Sequence, residues 1–166
     1  MPKNMEQIRE ILFSGNFTTI NTFLEESPID DVCNAMKSRV GAHTFTGVLL
    51  MQKMPETLSI ILSKIHQSSP SKYSEVIREQ DELGRTMLHL ALYNHSSFTG
   101  KKDFELFETM LLRTPEEERF NIIMSKDTRG YSVADAALNT NMPLSYFHLI
   151  LKSLPVSQRL TVLTTP

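Results

Sequence analysis

Residues that could do chemistry are few and scattered along the chain. The five histidines are His43, His66, His89, His95 and His148, and neither a His-Glu-x-x-His motif nor a clustered Cys/His spacing occurs. The sequence therefore predicts no metal and no cofactor. The single cysteine, Cys33, cannot form an internal disulfide or a cysteine-based zinc site alone. The carboxylates Glu25-Glu26 and Glu116-Glu117-Glu118 stand beside expected helix ends, where charge is solvated or complements the helix dipole. Gly84 and Gly130 are lone turn glycines and make no phosphate loop. Lys101-Lys102 is too short a basic run for nucleic acid or a membrane surface. A small enzyme or toxin would have to draw on Asn94, His95 and Asp103, in an expected loop over 94–103. No reaction follows from these residues, and a non-catalytic role is expected.

The elements that position these residues make one domain over 1–166, since domains run ~100–200 residues. Hydrophobic residues are 40% and charged residues 22%, a composition that folds. The formal net charge of -2 excludes a nucleic-acid binder that works through bulk positive charge. Lys3, Glu6, Arg9 and Glu10 interrupt the first residues, so no signal peptide is expected, and no apolar run has the ~20 residues of a membrane span. With one cysteine, a reducing, cytoplasmic location is expected. Asn16-Phe17-Thr18 and Asn94-His95-Ser96 match the glycosylation pattern by chance on this reading.

An internal repeat organises the chain. Helix breaks recur at Ser27-Pro28, Ser69-Pro70, Thr114-Pro115 and Leu154-Pro155, and origins at Pro28, Ser69, Pro115 and Pro155 lie 41, 46 and 40 residues apart. Eight residues before each origin stand Ile20, Ile61, Phe107 and Phe147; four before stand Leu24, Ile65, Leu111 and Leu151. Seven after stand Ala35, Val76, Ile122 and Val162; eight after stand Met36, Ile77, Ile123 and Leu163. Cys33 shares its register with Phe120 and Leu160, which makes it a buried apolar substitute. Offsets of three and four residues make one apolar stripe on a helix, and Pro after Ser or Thr marks a helix start with a capping hydroxyl. The approximate units are 1–40, 41–81, 82–127 and 128–166.

A third segment completes two of the units. Asp81-Glu82-Leu83-Gly84-Arg85-Thr86 and Asp127-Thr128-Arg129-Gly130-Tyr131-Ser132 are Asp-x-x-Gly turns followed by a capping hydroxyl, then Leu88, Ala91 and Leu92 or Ala134, Ala137 and Leu138 on a helix. At Gly84, Thr86, Leu88, His89 and Ala91, with Leu111-Leu112 as the closing pair, the sequence resembles the ankyrin repeat family. Gly130, Ser132, Ala134 and Ala137 match more weakly, and Met87 and Val133 replace the usual Pro. The unit near Thr46 has Val48 and Met51 as expected core but no Asp-x-x-Gly; the first keeps only helices, with Ile8, Ile11 and Leu12 inside. The units exceed the family's ~33 residues by the Pro-led helix, a style similar to ankyrin-type effectors of intracellular bacteria. A three-helix unit of this length also suits armadillo-like stacking.

The resemblance implies an all-α fold, an α-solenoid of stacked ankyrin-like helical repeats with an extra Pro-led helix per unit. It implies a non-catalytic protein–protein interaction module, and for an effector a host protein as partner in the host cytosol. Inner-helix positions implied to face the partner are Lys53, Leu90, Tyr93, Asn94, Asn139 and Thr140; turn tips add Glu82, Arg85, Thr128, Arg129 and Tyr131. Tyr and Arg are enriched at binding hot spots, which favours Tyr93, Arg85, Arg129 and Tyr131, and truncating Tyr93 with Arg85 is expected to spare folding. His89 is expected to hold neighbouring turns. The last stripe, Leu160, Val162 and Leu163, has no following unit and would serve self-association or docking as a structural fragment of a larger array.

Overall fold

The chain folds as a succession of short amphipathic helices broken at prolines and turns. The structure, a computed structural model, describes residues 4–93, 101–139 and 142–164, and of Lys101 and Asn139 only the backbone. The helices are α1 (Met5–Phe13), α2 (Phe17–Glu26), α3 (Ile29–Lys37), α4 (Phe45–Met51), α5 (Pro55–Ser68), α6 (Pro70–Arg78), α7 (Met87–Tyr93), α8 (Lys101–Arg113), α9 (Glu116–Ile123), α10 (Val133–Asn139), α11 (Leu144–Lys152) and α12 (Val156–Thr164). Before α4, the strands β1 (Arg39–Val40) and β2 (His43–Thr44) pair antiparallel, Arg39 opposite Thr44 and Val40 opposite His43. The fold is thus all-α but for this ribbon. No helix among the described residues is long and apolar enough to cross a membrane.

Side-chain caps start several helices. Asn4 and Gln7 form a reciprocal capping box on α1, and Asn16 accepts from the Thr19 amide to cap α2. Asn16, one of the glycosylation matches, is therefore spent on a helix start. The hydroxyl caps expected before the prolines form only once, at Ser69, which accepts from the Lys72 amide. Pro28 and Pro115 themselves occupy the cap positions of α3 and α9 without a side-chain bond. Thr114 turns its hydroxyl back to the Met110 carbonyl at 2.9 Å, so it closes α8 instead of opening α9.

Helices α1–α3, α4–α6, α7–α9 and α10–α12 follow one another as blocks, and several helices at corresponding places in neighbouring blocks pack together. The inner helix α4 packs on α7, and α7 on α10. The outer helices follow the same order: α2 on α5, α5 on α8, α8 on α11. The Pro-led α3 packs on α6. Polar links cross the same seams: Lys37 pairs with Glu75 and Lys72 with Asp30 between α3 and α6, and Arg113 donates to the Ser63 hydroxyl between α8 and α5. The apolar stripes supply one continuous core from Ile8 to Val162. Ile20, Ile61 and Phe107 are fully buried, as are Met36, Ile77 and Ile123, and each such side chain contributes roughly 1.5–3 kcal/mol by leaving water.

Three expectations need correction. In α4 the buried apolar residues are Phe45, Leu49 and Leu50, while Val48 and Met51 are only half-buried. The unit begins two residues earlier than expected because Thr44 caps α4 by accepting from the Gly47 amide. Lys101, Lys102 and Asp103 belong to the first turn of α8, not to a loop. Asn94, His95 and Thr140 lie outside the described residues.

Candidate functional site

The segments between blocks are hydrogen-bonded to one another in sequence. Each returns the chain from a Pro-led helix to the next inner helix: 38–44, 79–86 and 124–132. Two backbone bonds join them in sequence. The Glu82 amide donates to the Ala42 carbonyl at 3.0 Å, and the Thr128 amide donates to the Leu83 carbonyl at 2.9 Å. Each tip thus rests on the preceding one.

A buried aspartate organises each of the last two tips. Oδ1 of Asp81 accepts from the Leu83 and Arg85 amides, both at 2.9 Å. Its Oδ2 accepts from Arg85 Nε at 2.9 Å and Nη2 at 2.6 Å. Asp127 repeats the arrangement: Oδ1 accepts from the Arg129 amide at 2.9 Å and the Tyr131 amide at 3.0 Å, and Oδ2 accepts from Arg129 Nε at 3.1 Å and Nη2 at 2.9 Å. The arginine stands four residues after one aspartate and two after the other, yet both guanidiniums reach the same oxygen. Burial alone would raise either carboxyl. For Asp81 the side-chain and backbone bonds from Arg85 outweigh it, and for Asp127 those from Arg129, Tyr131 and Tyr93 do, so both carboxyls sit below the usual range.

Neighbouring blocks add to each cluster. Arg85 Nη2 also donates to Nδ1 of His43 on β2 at 3.0 Å, which ties the second tip to the first. Tyr93, at the end of α7, donates its hydroxyl to Oδ2 of Asp127 at 3.0 Å. Burial, with the bond to Asp127, pushes the Tyr93 phenol up to about 12. The Arg129 guanidinium carbon lies 4.8 Å from the Tyr93 ring centroid and 5.5 Å from that of Tyr131. Arg129 is the exposed member, with 59% of its side chain accessible, and Tyr131 is 43% exposed. The result is a preset aromatic and cationic platform at the third tip.

His89 locks the stack from within. The Thr86 amide donates to Nδ1 at 3.2 Å, and Nε2 lies 3.1 Å from the Tyr131 carbonyl of the next tip. Nδ1 therefore accepts, and Nε2 carries the proton and donates. Burial lowers the His89 pKa although the Tyr131 bond and nearby aspartates oppose it. Both nitrogens are engaged, which leaves this imidazole no free position for proton transfer. Asp135 holds the equivalent place on α10 and accepts from the Ser132 amide and hydroxyl, at 2.8 and 2.6 Å.

The residues expected to face a partner divide into groups. Glu82, Arg129 and Tyr131 are exposed along the tips, and Thr128 joins them. Arg85 is a tip residue, but only 16% of its side chain is accessible because it is spent on Asp81. Tyr93 is half-buried and bonded to Asp127. Leu90 is corrected outright: at 1% exposed it is core, and its Cδ1 occupies the space beside Gly47 where a Cβ would come within 2.7 Å. Lys53 lies in the turn after α4, away from the hairpin end of that helix, with its backbone at φ 57. Asn139 ends α10, and Asn94 falls outside the described residues.

Sequence reasoning gave no role to His43 or Leu83. Leu83 is 46% exposed on the second tip, and its signal was an apolar residue inside an Asp-x-x-Gly turn. The hairpin at 39–44 lacks the aspartate and so had no turn signature to find. A scan against protein-family models finds no match, and no curated protein and no solved structure matches the chain.

Proposed function

We propose that this chain is a non-catalytic protein-interaction module, an α-solenoid of ankyrin-like units with a Pro-led helix added to each, which binds a protein partner along the row of tips. The observation that carries this reading is the pair of backbone bonds from Glu82 to Ala42 and from Thr128 to Leu83, which fuses three tips into one rigid edge. On that edge Glu82, Leu83, Arg129 and Tyr131 are presented by buried aspartates, so little order has to be gained on binding. An exposed Arg beside aromatic rings suits an anchor at an interface centre. The engagement of both His89 nitrogens and of both tip carboxylates supports binding over catalysis.

The test is capture of partners from a cell lysate by the intact chain and by three variants. Arg129→Ala with Tyr131→Ala, and Glu82→Ala with Leu83→Ser, are expected to lose the same partner while keeping the fold, which circular dichroism verifies. Lys53→Ala is expected to keep it. Identical partners on all four chains would overturn the assignment to this edge.

A further inference from the structure

Among the described residues, the two ends of the stack expose complementary positions, and we propose that they take each other: a second copy of this chain docks its α1–α2 face on the α10–α12 face of the first, head to tail. Equivalent positions in the blocks carry the argument. Five residues after the origins stand Cys33 and Ser74, 3% and 1% exposed, and Phe120, half-buried, but Leu160 is 61% exposed. Eight after them, Met36, Ile77 and Ile123 are fully buried, while Leu163 is 56% exposed. On the inner helices Leu50 and Leu92 are 3% and 1% exposed, and the matching Leu138 is 53%. These positions are buried or half-buried in the two middle blocks and uncovered in the last.

The opposite end shows the converse. Counted from the helix caps, Met5 matches Phe45, Met87 and Val133, which are 3%, 1% and 0% exposed, whereas Met5 is 36% exposed. Glu6 follows it at a position buried as Thr46, Leu88 and Ala134 in the later inner helices, and Glu6 is exposed. The N-terminal face thus has the register that later blocks use inside the stack.

Charge selects the pairing. Residues 5–26 carry Glu6, Glu10, Glu25 and Glu26 against one base, Arg9. Helices α10, α11 and α12 carry Lys152 and Arg159 against one acid, Asp135, which is bonded to Ser132. Two tail faces would oppose like charges; head to tail opposes unlike ones. A forward contact in the stack indicates where they meet. Tyr73, four residues after its origin, donates to the Met110 carbonyl in the last turn of the next outer helix, at 3.3 Å. Arg119, at the same offset, donates to the Ser153 carbonyl just past α11, also at 3.3 Å. Arg159 holds that offset in the last block. In a docked copy it reaches the end of α2, where Glu25 and Glu26 are exposed.

A head-to-tail interface does not close on itself, so association continues past the dimer. Sedimentation equilibrium on the full chain is expected to give a mass that climbs with concentration from 18.9 kDa beyond twice that value, and falls back in high salt. Leu160→Glu with Leu163→Glu, and separately Glu25→Lys with Glu26→Lys, are expected to stay monomeric. All four residues are exposed, and circular dichroism verifies that the variants fold. An equimolar mixture of the two variants retains one intact junction and is expected to form a one-to-one dimer that grows no further. A parent chain monomeric throughout would overturn the proposal. So would normal association of the Glu25/Glu26 variant, which is the outcome for tail-to-tail pairing.

Discussion

Tyr93 and Asp127 are 34 residues apart in sequence and 3.0 Å apart in space, phenol oxygen to carboxylate Oδ2. The bond ties the end of one inner helix to the tip that precedes the next. Asp127 is buried with 1% of its side chain accessible, so it depends on its donors. Tyr93→Phe keeps the ring beneath Arg129 and removes only the hydroxyl. A hydrogen bond to a charged group contributes about 1.5–3 kcal/mol, and urea denaturation is expected to show a loss in that range. A double-mutant cycle with Asp127→Asn should recover a coupling term; additive losses would mean the bond contributes nothing.

Arg85 and Arg129 look alike in sequence and are expected to behave differently. Arg85 is 16% accessible and pairs with an Asp81 side chain that is fully buried. Arg85→Ala leaves that carboxylate unpaired, and breaking a buried pair costs about 3–5 kcal/mol. Arg129 is 59% accessible, and its removal leaves Asp127 bonded by the Tyr93 hydroxyl and two backbone amides, so the loss is expected to be smaller than for Arg85. Arg85→Lys should rescue little, because one ammonium cannot copy the Nε and Nη2 contacts to Oδ2 together with the Nη2 contact to His43. Truncating Arg85 with Tyr93 therefore disturbs folding, and loss of binding in that variant would not locate an interface. Thermal unfolding of the single variants separates the two arginines; equal losses would contradict the difference in burial.

The helices were legible because their stripes repeat. Ile20, Ile61 and Phe107 recur at one offset and are all buried, since a helix in the stack must present an apolar side chain there to be covered. The first-tip hairpin was not legible, because two-residue strands have no periodicity and this turn lacks the aspartate. Leu90 was misassigned for a related reason. The family resemblance implies that it faces a partner, but the missing side chain at Gly47, on another helix, makes the room that buries it. Arg85 and Arg129 could be named from the turns, yet their exposure depends on Asp81, His43 and Tyr93, contacts set by how blocks stack. A local pattern marks a tip; the neighbouring block decides which of its side chains remain free.

Stability should rise with pH across the range where His89 titrates. Burial lowers its folded pKa below the ordinary value near 6.5, so the unfolded chain binds the extra proton first. The stabilisation is complete above that ordinary value and is lost as pH falls through the folded pKa. The slope between the two is at most about 1.4 kcal/mol per pH unit. Asp81 and Asp127, also lowered, act the same way further down: their contribution is present above the ordinary carboxyl range and disappears as acid protonates them. Urea midpoints measured from pH 8 to pH 3 should fall in two stages. In His89→Gln the upper stage should flatten while overall stability drops, because Gln cannot take the proton. An unchanged upper stage in that variant would assign it to another histidine.

Two glycines separate backbone conformation from crowding. Gly84 and Gly130 hold the same place in the two aspartate tips, at φ +70 and +85, where any L side chain costs roughly 1–2 kcal/mol. A Cβ on Gly130 meets nothing within 4 Å. A Cβ on Gly84 comes within 3.0 Å of the Thr128 nitrogen and 3.2 Å of Asp127 backbone atoms. Those atoms cannot yield cheaply, since Thr128 is bonded to the Leu83 carbonyl and Asp127 carries the third tip. Gly130→Ala is therefore expected to lose only the conformational term, about 1–2 kcal/mol, with Asn tolerated better than Ala. Gly84→Ala should lose more and should speed hydrogen exchange at the Thr128 amide, because relieving the contact pulls the two tips apart. If both substitutions cost the same and exchange at Thr128 does not change, the tips do not need their close approach, and the rigidity assigned to the edge has another origin.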